Sequence, residues 1–243
     1  MTGLSEFYIG CDPYHASQVP RAFISVNRLR RRKGDFVANE WIMDSGAFSQ
    51  ITSPARDFTM TTGQYVDHIN RWSKCGKMIC AVAQDYMCEP HVLEHTGRTV
   101  EENHDLTIAR FDEIRSKTDV EIMPVLQGYD PEDYVKHIAD YGHRLAPGSR
   151  VGVGSVCKRN VNIREIEDVL RAIWETRDDL LYHGFGVKKT AFRSGVVRKI
   201  LYSADSFAWS LNARKNGRNA HDIQNGLKFA ADIEGRQYNK VLF

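Results

Sequence analysis

Eight short apolar, β-branched runs recur along the chain: FYIGC (7–11), AFISV (22–26), WIMDSG (41–46), MICAVAQD (78–85), EIMPVLQG (121–128), RVGVGSV (150–156), LLYHGFGV (180–187) and YSADSFAW (202–209). Between the later runs the period lengthens from two to about 3.6 residues, the signature of amphipathic helices. TTGQYVDHINRWSKC puts Tyr65, Ile69 and Trp72 on one face. TVEENHDLTIARFDEIRSK groups Leu106, Ile108, Phe111 and Ile114, behind a Thr99 that can cap with Glu102. DPEDYVKHIADYG opens on Asp-Pro and closes at Gly142, a start and a stop signal. NIREIEDVLRAIWETR and AFRSGVVRKIL complete the set. Strands alternating with helices imply a parallel sheet, and strands apolar along most of their length imply one covered on both faces. The expectation is an α/β fold, a (β/α)8 TIM-type barrel forming a single domain over 1–243, with a short C-terminal extension over about 212–243. An open doubly wound sheet is the alternative, weakened because no G-x-G-x-x-G loop follows the first strand.

In such a barrel, chemistry sits at the C-terminal ends of the strands. Reading those ends in order gives Asp44 with Ser45 and Gly46, then Gln84 and Asp85, then Gln127 and Gly128. Gly152, Gly154 and Ser155 follow, then His183 through Gly186, and finally Asp205. Each has a structural reading of its own: Asp44 can cap a turn, Asp85 can pair with a cation, and His183 can be a satisfied core histidine. Together they bring three carboxylates to one mouth. Asp85 and Gln127 offer acceptors and donors suited to the edge of a planar heterocycle. Backbone N–H groups near Gly152 and Gly154 can approach a carbonyl oxygen closely, since glycine lacks Cβ. Asp205 suits a nucleophile toward a glycosidic carbon, and Asp44 a proton carrier. Ser45, His183 and Lys188 join them as candidate substrate contacts. Phe48, Tyr86, Phe185 and Phe207 are candidates to stack on a base.

Charge adds a direction to this picture. The net charge is only +2, but NRLRRRK over 27–33 packs five cations into seven residues. Arg28, Arg30, Arg31, Arg32 and Lys33, with Lys158 and Arg159, are the expected nucleic-acid contacts. The competing reading is solvated charge paired with neighbouring acids. The five cysteines form no dense framework, and no basic segment leads into an apolar signal core. A cytoplasmic protein with free thiols is expected, and no apolar run reaches membrane-spanning length.

The motifs MDSGAFSQ, AQDYMCEP, PVLQG, VGVGSV, HGFGVK and SADSFAWS, in this order, resemble the tRNA-guanine transglycosylase superfamily. Within it the chain is most similar to the deazapurine DNA-modification (DpdA) transglycosylases of phages and bacterial islands, a likeness that SVNRLRRRK and VGVGSVCKRN share. The resemblance spans residues 7 to about 212. It implies exchange of guanine in a polynucleotide for a 7-deazaguanine such as 7-cyano-7-deazaguanine. It further implies Asp205 as nucleophile through a covalent aspartyl-glycosyl intermediate, and Asp44 in base handling and proton transfer. Asp85 would meet the purine N1 and exocyclic amine, Gln127 would face O6, and Gly152 and Gly154 would lie in the glycine-rich loop.

The tRNA enzymes carry a zinc site after the nucleophile. Here no cysteine follows Cys157, so neither that subdomain nor a metal or other cofactor is expected. The partner expected is therefore DNA, with tRNA as the alternative, a 7-deazaguanine base as small-molecule substrate, and accessory DNA-modification proteins. A base-excising hydrolase on the same barrel and a catalytically idle nucleic-acid-binding module are the other classes compatible with the chain.

Overall fold

The computed structural model describes residues 3–156 and 162–235. Nine parallel strands form one sheet: β1 (Glu6–Gly10), β2 (Arg21–Ser25), β3 (Glu40–Asp44), β4 (Lys77–Val82), β5 (Ile122–Met123), β6 (Val125–Leu126), β7 (Arg150–Val153), β8 (Leu181–Gly184) and β9 (Leu201–Ser206). Their order, β5-β4-β3-β2-β1-β9-β8-β7-β6, begins and ends on two dipeptides separated by Pro124 alone. Proline has no N–H to give a ladder, so one strand is split in two. Its first half pairs with β4 and its second with β7. The Pro124 carbonyl still accepts from Gly152 N. The sheet thus comes round on itself as an eight-position barrel, and all eight predicted runs are strands in it.

The helices are α1 (Ala47–Ile51), α2 (Thr62–Trp72), α3 (Pro90–Thr96), α4 (Val100–Arg115), α5 (Pro131–Tyr141), α6 (Ile163–Thr176), α7 (Gly195–Ile200), α8 (Ala208–Lys215) and α9 (Ile223–Glu234). The predicted Thr99–Glu102 capping box starts α4, and Thr61 with Gln64 makes another at α2. The first two crossovers carry only 3-10 turns, Pro13–Gln18 and Val26–Arg28. The outer face of β1 is covered instead by α9, where Phe229 packs on Phe7 and Glu234 accepts from Phe7 N. Residues expected as a C-terminal extension therefore supply the end of α8 and all of α9, a wall of the barrel.

Strand alternation separates two cores. Ala22, Ile24, Trp41 and Met43 point outward to the helices, while Tyr8, Phe23, Ile42, Cys80, Val82, Met123 and Val125 fill the barrel interior. Because every strand runs the same way, Asp44, Asp85, Gln127, Ser155 and Asp205 all arrive at one end. No helix among the described residues is long and apolar enough to cross a membrane.

Candidate active site

A cavity of about 500 Å³ opens at that end, within the range of small-molecule sites. Asp44, Asp85, Gln127, Gly154 and Asp205 line it, together with Phe48, Phe185 and Phe207. Asp85 follows β4 and Asp205 lies on β9, four places apart in the strand order, so the two acids enter from opposite sides of the barrel.

The Asp85 side is a hydrogen-bonded cluster. Asp85 accepts from Gln127 Nε2 and, at 3.4 Å, from Ser45 Oγ. Gln127 Oε1 accepts from Ser155 Oγ at 3.1 Å. Two buried, stacked histidines hold the Gln127 backbone: its N–H donates to His137 Nδ1 and its carbonyl lies 2.7 Å from His104 Nε2. Burial pushes the Asp85 carboxyl up to about 7, opposed by the Gln127 bond and aided by the Asp44 charge. Burial likewise raises Asp44 to about 6, against the pull of the Ser25 hydroxyl and with repulsion from Asp205. Both acids can therefore exchange a proton near neutral pH. Glu89 also lines the cavity, 3% exposed, and its Oε2 has no partner.

Asp205 is held differently. Its Oδ1 accepts from Gly186 N at 3.0 Å and lies 3.4 Å from His183 Nε2. Gly186 presents that N–H from a left-handed conformation, φ 59°, which favours glycine.

Some expectations need correcting. The N–H groups of Gly152 and Gly154 donate within the sheet, to Pro124 and Leu126, so neither is turned toward a ligand. These glycines give space: a Cβ on Gly152 would lie 2.4 Å from the Phe185 ring, and one on Gly154 2.3 Å from Gln127 Nε2. His183 is fully buried and does not line the cavity; it sits behind Asp205, stacked on Phe23. Tyr86 is buried too, donating to Asp57 and receiving from Arg110, away from any base. Lys188 is exposed after β8 and lies outside the cavity lining. Ser155, read from the sequence only as a strand-end residue, joins the Gln127 cluster; Glu89 and Ser25 escaped the sequence reading, which held no signal for either.

Of the basic run, Asn27 and Arg28 reach the cavity rim, and Arg28 pairs with Asp12 at 3.3 Å. Arg30, Arg31 and Lys33 are exposed on the loop beyond. Arg32 bonds to the carbonyls of Gly34 and Asp35 and lies over the Phe36 ring. Lys158 and Arg159 lie outside the described residues. Among the described residues no group of three or more His, Cys, Asp or Glu could hold a metal ion.

The family model for DeoxyPurine in DNA protein A (DpdA) matches residues 5–230. No curated protein matches the chain.

Proposed function

The chain belongs to the DeoxyPurine in DNA protein A family, and on that premise we propose that it exchanges guanine in DNA for a 7-deazaguanine. The observation carrying this reading is the pairing of unlike acids across one cavity. Asp85 is tied to an amide and raised in pKa, while Asp205 is braced on one oxygen by backbone. The first suits the N–H-rich edge of a guanine, the second the sugar carbon beyond it. Phe185 and Phe207 flank the base. The base must leave the duplex stack to enter, or come from a single strand.

Asp205 Oδ2 attacks C1′ as the C1′–N9 bond breaks, its electron pair passing to the departing guanine. Asp44 supplies the proton the guanine takes. The incoming 7-deazaguanine returns a proton to Asp44 as its N9 attacks C1′, and Asp205 leaves as carboxylate. One N-glycosidic bond replaces another, so no nucleoside triphosphate is consumed.

The test uses DNA carrying labelled guanine. Label should be released only when a 7-deazaguanine such as the 7-cyano base is added. Asp205→Asn should lower that release at least ~10³-fold while DNA binding persists. Release without any added base would mean a hydrolase, and label released from tRNA alone would mean an RNA enzyme. An Asp205→Asn variant retaining a tenth of the activity would remove Asp205 as nucleophile.

A further inference from the structure

Behind Asp205 the barrel interior holds a line of polar side chains that base exchange does not use directly. Arg150 Nη1 donates to Ser203 Oγ at 2.8 Å. Ser203 Oγ lies 2.9 Å from His183 Nδ1. His183 Nε2 lies 3.4 Å from Asp205 Oδ1. Arg150 is itself paired with Glu6 at 3.1 Å, and Glu6 also accepts from Tyr8 and Tyr202. Strand register builds this line. His183 on β8 is paired with Ser203 on β9, and Asp205 is two residues further on, on the same inward face.

The directions of these bonds follow from their ends. Arginine only donates, so the Ser203 oxygen accepts from Arg150. A bare Nε2 lone pair facing the Asp205 carboxylate would be repelled, so Nε2 carries hydrogen. Burial lowers the His183 pKa despite its Asp205 contact, which keeps the ring neutral and leaves Nδ1 an acceptor. Ser203 must then donate to it. Every hydrogen points the same way, from the Arg150–Glu6 pair toward Asp205.

We propose that His183 is a positioning residue, whose tautomer is set by Ser203 and Arg150 so that its Nε2–H joins Gly186 N in holding Asp205 Oδ1 and leaves Oδ2 to attack. At 3.4 Å the contact is not a formed hydrogen bond, and catalytic contacts that are long in an empty site often tighten once substrate is bound. A neutral ring steers the carboxylate without the full charge of an imidazolium, which would blunt its nucleophilicity. This proposal rests on the function proposed above for Asp205.

Its test pairs two amides at one position. In His183→Gln the side-chain nitrogen reaches the place of Nε2, and in His183→Asn only that of Nδ1. His183→Gln should keep exchange within about tenfold of wild type. His183→Asn and Ser203→Ala should lose kcat by roughly 10- to 100-fold, the scale for outer-shell partners, with KM for DNA and base little changed. Nitrogen-15 spectra should show His183 as the Nε2–H tautomer in the wild type and a mixture of tautomers in Ser203→Ala. An Nδ1–H ring in the wild type would overturn the proposal, as would equal loss in folded Gln and Asn variants or a loss confined to KM. Should the wild type exchange no base at all, the functional reading fails, and the tautomer spectra still decide the direction of the relay.

Discussion

Burial of the Asp85 carboxylate works against the fold, a cost consistent with the base-binding role proposed for it. Its ordinary pKa of 3.8 rises to about 7 because burial strips water from the carboxylate. Between those values the folded chain binds a proton that the unfolded chain has released, so stability falls as pH rises, and the penalty is complete above about 7. Asn in its place has no charge to bury. It keeps an acceptor, and the Gln127 amide can turn over to meet its new donor. Asp85→Asn is therefore expected to raise unfolding stability at pH 8 by up to roughly 4 kcal/mol and to change it little at pH 4. The same variant should lose base exchange, because an amide opposes one of the N–H donors that the carboxylate accepts. Denaturant melts at the two pH values check this, and an equal gain at both would contradict it. His183 shows the limit of reading single residues from sequence. A histidine at a strand end looks like a ligand contact, and only the pairing of β8 with β9 turns it behind Asp205.

At the scale of elements, hydrophobic period was enough to locate all eight barrel strands, because each alternates between an interior and an outer core. The helices it located are α2 and α4 to α6, each of eleven residues or more, and the six-residue α7 behind its Ser194 cap. It missed α1, α3 and α8, whose buried positions hold few large apolar side chains: Ile51 in α1, Val92 in α3 and Trp209 in α8. It missed α9 for a different reason: the alternating pattern ends with the last strand, and nothing local says that a further helix must return to β1. Yet the first two crossovers are 3-10 turns, so β1 would lack its outer cover without α9. Phe229 is 7% exposed and meets Phe7 at a ring separation of 6.0 Å. Phe229→Ala should therefore cost about 3–5 kcal/mol, the range for a large core side chain lost to a cavity. Urea unfolding would report it, and a cost below about 1 kcal/mol would make α9 an appendage instead of a wall.

Across the whole molecule the charge is nearly balanced, so attraction to a polyanion must come from where the cations lie and not from their sum. The basic run starts at the cavity rim with Arg28 and continues outward from it. Its arginines are not alike. Arg32 is spent on the carbonyls of Gly34 and Asp35 and on the Phe36 ring, and Arg71 ties the loop end by bonding to the Lys33 carbonyl. Arg31 and Lys33 point to solvent, as does Arg30, which keeps one bond to Thr59. A backbone of phosphates passing the mouth would meet these three first. Changing Arg30, Arg31 and Lys33 together to Ala should weaken DNA binding for all sequences alike, since phosphate contacts carry no base information. The slope of log affinity against log salt should shrink by roughly two to three units, at ~0.9 per contact on duplex or ~0.7 on single strands. Exchange at saturating DNA should be nearly unchanged, because on the proposed reading these side chains guide the strand, and none of them lines the cavity. Arg32→Ala should do the reverse, lowering the melting temperature through its lost loop contacts while leaving the salt slope intact. Binding titrations at four salt concentrations, with a melt of each variant, separate the two roles. A triple variant that melts early with its slope unchanged would make the run a structural brace and move the strand's path elsewhere on the mouth.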